Sequence, residues 1–190
     1  MTQKFTVLFD LDGTLVNTAP DLMRAHNYVM KKYGYSERDL SDIKKLAGRG
    51  SKVMLTKSMH EMAELTGKIK KTDNIVEEMT KEFVNFYSKN IAKESTLKNG
   101  VLDFLTWCKK NSISMGVCTN KQEHLSIDLL KKIKIYHFFD YVAGGNTFNH
   151  NKPNPKHLTD TIEILGGDVN KTLMVGDSET DSNASKAANI

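Results

Sequence analysis

The chain has 190 residues, 39% of them hydrophobic and 26% charged, which is enough length and apolar content for one domain with a substantial insertion and argues against disorder. No apolar run approaches the length of a membrane span, and the opening MTQKFTVLFD has neither the basic region nor the small-residue cleavage site of a signal peptide, so a cytoplasmic protein without a membrane partner is expected. The net charge of +4 comes almost entirely from lysines spread along helical segments, with arginine only at Arg24, Arg38 and Arg49; this pattern gives no sign of a nucleic-acid partner, while a mild positive field favours an anionic substrate.

The first patterned stretch is Phe5 to Leu15, where Val7, Leu8 and Phe9 read as a short strand buried on both faces, as in the middle of a parallel sheet. Ala19-Pro20-Asp21 reads as a helix start, Leu22, Ala25, His26, Val29 and Tyr33 recur at helical spacing, and Gly34 stops the run. From there to about Ser95 the pattern is helical. Ile43, Leu46 and Ala47 form one face, Val53, Leu55, Met59 and Met62 another, and Ile75, Met79, Phe83 and Phe86 a third. Gly48-Arg49-Gly50 interrupts this block and sets a lone arginine between two flexible residues, either as an anion contact or as a plain exposed connection. Past Gly100 helix and strand alternate: helix from Val101 to Lys110, strand from Ile113 to Cys118, helix from Leu125 to Ile133, and a short strand at Tyr141 and Val142. Helix Pro155 to Leu165, strand Thr172 to Val175 and a small-residue helix up to Ile190 complete the pattern. Alternation of this kind means an α/β fold with a parallel sheet covered on both faces, interrupted after its first strand by the helical block.

Three strand ends carry polar residues on one edge of that sheet. Asp10 and Asp12 leave the first strand two residues apart, and two such carboxylates repel unless a cation binds or one keeps its proton. Taken alone, Asp10-Leu11-Asp12-Gly13-Thr14 also suits an ordinary surface turn. Thr119-Asn120-Lys121 offers a hydroxyl and successive N–H groups for phosphate oxygens, and Gly176-Asp177 through Asp181 adds further carboxylates. Lys152 lies between them in a stiff proline-bounded loop. Asp10, Asp12 and Asp177 make a hard oxygen site suited to Mg²⁺.

These four segments, in this order, resemble the motifs of the haloacid dehalogenase-like superfamily, matched here by Asp10 to Thr14, by Thr119, by Lys152 and by Gly176-Asp177 with Asp181. The resemblance implies a Rossmann-like three-layer αβα core of residues 1–16 and 96–190, with a helical cap of residues 17–95 inserted after the first motif. DGTLVNTAPDL and the Gly48-Arg49-Gly50 loop look like the phosphoglycolate phosphatase subgroup, although Asn17 departs from the aspartate often found there. The resemblance further implies that Asp10 is a nucleophile forming an aspartyl-phosphate and Asp12 the general acid and base. Mg²⁺ is implied on Asp10, the backbone carbonyl of Asp12, and Asp177. Thr119, Asn120 and Lys152 are implied to hold the phosphate, with Asp181 supporting the metal shell or Lys152. Arg49 is expected to bind a carboxylate on a small substrate, 2-phosphoglycolate first.

Other phosphatases of this family, acting on sugar phosphates, nucleotides or pyrophosphate, a sugar-phosphate mutase, and a non-catalytic binding module on the same fold stay open as alternatives. Cys108 and Cys118 are expected as buried thiols, and Trp107 and the six histidines in packing or surface roles. Family members continue with another strand and helix beyond the fourth motif, so a sheet ending at Ile190 is expected to present an open strand edge that further chain or a partner covers.

Overall fold

The computed structural model describes residues 5–46, 48–66 and 73–190, without the side chains of 62–66 and 73. The chain runs through strands β1 (Thr6–Phe9) and β2 (Val16–Asn17), then helices α1 (Ala19–Lys32), α2 (Leu40–Leu46), α3 (Ser51–Thr66) and α4 (Asp73–Asn90). It returns through β3 (Thr96–Leu97), α5 (Val101–Lys110), β4 (Ser114–Cys118), α6 (Glu123–Lys132), β5 (Tyr141–Ala143), α7 (Lys156–Ile164), β6 (Thr172–Val175) and α8 (Glu179–Ala188).

The main sheet is parallel throughout, in the order β5-β4-β1-β6. Every residue of β1 is buried, as its unbroken apolar run requires of a strand with neighbours on both sides and helices on both faces. Its register aligns Phe9 with Val117 and with Val175, so three strand ends finish within one residue of one another. The two faces divide by the alternation of side chains along a strand. Val7, Phe9, Met115, Val117 and Val142 pack with Leu105, Cys108, Leu125, Leu129 and Leu130 of α5 and α6. Leu8, Cys118 and Ala143 pack on the other face with Leu158 and Ile162 of α7 and Ala184 and Ala188 of α8. This is the three-layer arrangement expected. The outer side of β6 has no partner strand among the described residues, and Leu173 on it is exposed.

Helix α1 begins with proline in its first turn and ends ahead of Gly34 at φ +76°, a conformation that suits glycine. It packs against α4, and α4 against α3. The stripe of α3 differs from expectation: Met54, Leu55 and Met59 are buried while Val53 is 49% exposed. Residues 54, 55, 58 and 59 follow the 3.6-residue repeat along one side, and Val53 falls roughly opposite Leu55. Each fully buried aliphatic side chain here is worth about 2 kcal/mol, and Leu55→Ala costs about 2–5 kcal/mol. Ala47 and the side chain of Met62, both expected in these faces, lie outside the described residues.

The helical block joins the sheet through a small ribbon in which β2 pairs antiparallel with β3, Val16 opposite Leu97 and Asn17 opposite Thr96. Asp21, in the first turn of α1, is buried and accepts from the backbone N–H groups of Glu94 and Ser95 at 3.0 and 2.9 Å and from Ser95 Oγ at 2.6 Å. The entering and leaving chains are thus tied by one carboxylate. Among the described residues, no helix is long and apolar enough to cross a membrane. Cys108 and Cys118 are free, buried thiols.

Candidate active site

Asp10 extends the β1 ladder by one residue, its N–H donating to Val175 O at 2.9 Å, and its carboxylate is 2% exposed. The chain then turns tightly: Leu15 and Val16 N–H groups donate to Leu11 O, and Gly13 N–H donates to Val16 O. Gly13 sits at φ +95°, and a Cβ there would overlap the Asp177 carboxylate. Glycine is therefore required twice over, by backbone conformation and by the approach of the β6 loop. Thr14 Oγ1 completes the turn by donating to Asp177 Oδ1 at 2.8 Å.

Lys152 Nζ is shared between Asp10 Oδ1 at 2.8 Å and Asp181 Oδ1 at 2.6 Å, with the lysine itself buried. Asp181 Oδ2 accepts from Ser178 N–H and Oγ, a reciprocal cap on α8 that fixes the carboxylate. Burial opposes the Lys152 charge, but Asp10 and Asp181 outweigh it and hold the ammonium above its usual range. Burial pushes the Asp10 carboxyl up to about 6 against the pull of Lys152, with the Asp181 charge adding to the rise. Asp10 Oδ2 is buried and has no hydrogen-bond partner. A bare acceptor of this kind is costly unless something positive meets it. Asp10, Asp177 and Asp181 each offer one carboxylate oxygen within 4.8 Å of the others. A hard divalent cation fits this donor set.

The Asp12 carboxylate stands apart from that cluster. It accepts from Thr18 Oγ1 at 2.6 Å and from Lys121 Nζ at 2.8 and 2.9 Å. Thr119 is buried, its N–H bonded to Ala143 O and its Oγ1 accepting from Lys121 N–H at 3.2 Å. Asn120, expected on the phosphate, uses its amide otherwise: Nδ2 donates to Lys152 O at 2.9 Å and to Gly48 O at 3.2 Å. It ties the lysine loop and the Gly48 loop to the sheet. Arg49 is exposed and lines a cavity of about 780 Å³, together with Asp12, Asn17, Lys44, Lys98 and Asp177. Asp10, 2% exposed, is not part of that lining.

The structure thus brings Asp10, Asp177, Asp181 and Lys152 together, with Asp12 and Thr119 on adjoining turns and Arg49 across the cavity. The sequence reading missed the side chains of Lys121, Thr18 and Asp21 as partners. Lys121 lies in the turn just past the end of β4, a place where a lysine reaches an active-site crevice, and that was its only signal.

A parallel α/β sheet with a carboxylate closing its central strand, a lysine on one of that carboxylate's oxygens and an acidic loop close by defines an enzyme that works on anions. The chain belongs to the haloacid dehalogenase-like hydrolase family, whose model matches residues 7–190. It is 35% identical over 184 residues to the phosphoglycolate phosphatase of Mesorhizobium japonicum, covering 97% of this chain and 79% of that protein. Against the phosphoglycolate phosphatase of Agrobacterium fabrum it is 33% identical over 183 residues, covering 96% and 76%. The crystal structure of a predicted phosphoglycolate phosphatase from Haemophilus somnus matches with a TM-score of 0.91 at 28% identity, over 100% of this chain and 84% of that one. The expected family and the expected α/β fold are both borne out.

Proposed function

We propose that the chain is a Mg²⁺-dependent phosphatase that hydrolyses a small phosphate monoester, 2-phosphoglycolate first, through an aspartyl-phosphate on Asp10. The observation that carries this reading is the state of Asp10: buried, clamped on Oδ1 by Lys152 and unpartnered on Oδ2. Asp10 attacks phosphorus while Asp12 gives its proton to the departing alkoxide, so an alcohol leaves and the phosphoryl group stays on Asp10. A water molecule, losing its proton to Asp12, then attacks phosphorus and releases inorganic phosphate, which returns Asp10. Lys152 and the Thr119 hydroxyl hold the equatorial oxygens as charge redistributes. Mg²⁺, when bound by Asp10, Asp177 and the Asp12 carbonyl, supplies positive charge that lets an anionic nucleophile approach an anionic ester.

Residues 17–95 act in this reading as a cap over the core of residues 1–16 and 96–190, and Arg49 brings a cation to the substrate's second anionic group. Asp12, Gly13 and Asp177, next to Asp10 in the turn and in the acidic cluster, line the same cavity as Arg49, which makes it the approach for the phosphoryl group. The relatives named phosphoglycolate phosphatase support the choice of substrate. The cavity volume of about 780 Å³ also accommodates a sugar phosphate, which keeps that substrate class as the second reading. Turnover of a panel of phosphate esters with Mg²⁺ separates the two. Asp10→Asn is expected to abolish both turnover and acid-stable labelling by radioactive phosphate, and label on another residue would overturn the mechanism.

A further inference from the structure

Lys121 does more than close the turn after β4. Its N–H is used inside that turn, on Thr119 Oγ1. Its side chain reaches Asp12, bonding both carboxylate oxygens, and both residues are less than a tenth exposed. Asp12 is the only acidic partner of Lys121 among the described residues. A buried ammonium and a buried carboxylate held this way fix each other's rotamers, because any other orientation would strand one charge away from both water and its partner.

The far side of the ammonium is closed by the helical block. Tyr87 of α4 is 1% exposed, and its ring centroid lies 4.5 Å from Lys121 Nζ, the geometry of a cation against a π face. Tyr87 Oη makes no hydrogen bond of ordinary geometry, so the ring face is the defined contact, with the hydroxyl close enough to bear on the same ammonium. A cavity of about 50 Å³ beside the pair is walled by Leu22, Met54, Phe83 and Leu125, which leaves the ammonium little water to turn to. A contact therefore runs from a helix of the cap, through a lysine of the core, to the carboxylate expected to move the proton.

We propose that Lys121 is the positioning residue of Asp12 and that Tyr87, carried on α4, holds Lys121 in place, so that seating the cap aligns the proton-transfer group. This rests on the reading of Asp12 as the acid and base of a phosphatase. Its consequence is selective: an ester with a poor leaving group needs the proton and an activated aryl ester does not.

The test compares 2-phosphoglycolate with 4-nitrophenyl phosphate on purified variants. Lys121→Met is expected to lower kcat on the alkyl ester by about a hundredfold with KM changed less than about threefold, while kcat on the aryl ester falls by less than about threefold. Lys121→Arg is expected to recover about tenfold of that loss. Tyr87→Phe, which keeps the ring, should stay within about twofold on both esters, whereas Tyr87→Leu should reduce the alkyl rate by about tenfold and spare the aryl rate. An equal fall on both esters, a loss confined to KM, or an unchanged ratio of alkyl to aryl rates in Tyr87→Leu overturns the proposal. Lys121→Arg and Tyr87→Leu keep the question decidable if Lys121→Met fails to fold. A wild-type protein that hydrolyses neither ester defeats the phosphatase reading itself, whereas an active one with unselective variants defeats only the positioning role.

Discussion

Asp21 and Ser95 lie 74 residues apart in the chain, yet Ser95 donates to Asp21 Oδ2 from both its N–H at 2.9 Å and its Oγ at 2.6 Å. Together with Glu94 N–H, these donors surround a carboxylate that is 2% exposed, at the point where the helical block enters and leaves the sheet domain. Asp21→Ala leaves these donors without their acceptor and is expected to cost about 2–4 kcal/mol, read as a lower urea midpoint. Asp21→Asn, which keeps the shape and one acceptor oxygen, should lose about half as much. Equal stability of Asp21→Ala and the parent would show that water replaces the carboxylate freely.

Gly13→Ala combines an unfavourable φ of +95° with an overlap between the new Cβ and the Asp177 carboxylate. The carboxylate must move, and with it one side of the acidic cluster. The expected outcome is a loss of stability of about 1–3 kcal/mol and Mg²⁺ affinity weakened by about tenfold or more, as when a ligand's support is removed. Calorimetric titration with Mg²⁺ measures the second effect, and unchanged affinity would place the cation away from Asp177.

Arg49→Ala is expected to lower kcat/KM for 2-phosphoglycolate by about ten- to a hundredfold, the loss of one charge-assisted contact, with little effect on an aryl phosphate that lacks a carboxylate. A parallel fall on both substrates would make Arg49 structural and weaken the choice of phosphoglycolate. Lys44 and Lys98 line the same cavity and supply the control, since their removal should not distinguish the two esters as sharply.

His26 and His157 give the fold a defined response to acid. Asn27 Oδ1 accepts from Arg38 N–H and, as an acceptor, also takes the proton of His26 Nδ1, while Nε2 lies 2.9 Å from Ser58 Oγ. Burial holds the imidazoles of His26 and His157 below the usual histidine range. A depressed folded-state pKa contributes stability that is full above the unfolded value and is lost as pH falls below it. Unfolding free energy should therefore decline as the pH drops below about 6.5, and His26→Gln with His157→Gln should flatten that slope. A slope unchanged in the double variant would assign acid sensitivity to the carboxylates.

The sheet was legible because its signals are local. Val7 to Phe9 form an apolar run too short for a helix, and Thr172 to Val175 are bounded by a polar turn and a glycine, so strand positions and the carboxylates beyond them could be read directly. The two-residue strands β2 and β3 were not legible, since each exists only through a partner across the whole helical block. The expectation for Val53 failed because a stripe of methionines and leucines fits more than one rotation of α3. Lys152 was found from its motif, but its sharing between Asp10 and Asp181 depends on three separate strand ends. Tyr87 had no signal at all: it reads as one more apolar residue on α4, and only the docked helix shows its ring against Lys121.

The β2–β3 ribbon has one further consequence. Asn17 and Thr96 are paired neighbours, so the block between them occupies the place of a loop in a hairpin that would close without it. Shortening such a loop from several dozen residues to a handful relieves about 2 kcal/mol of closure entropy. In topological terms the helical block is joined to the sheet domain at one covalent seam, and on the reading proposed above the machinery for cleaving a bond and the surface for choosing a molecule can be altered separately along the chain. Tyr87 on Lys121 and Gly48 on Asn120 are where that modularity ends, for any replacement block would have to supply its own ring and its own carbonyl at those contacts.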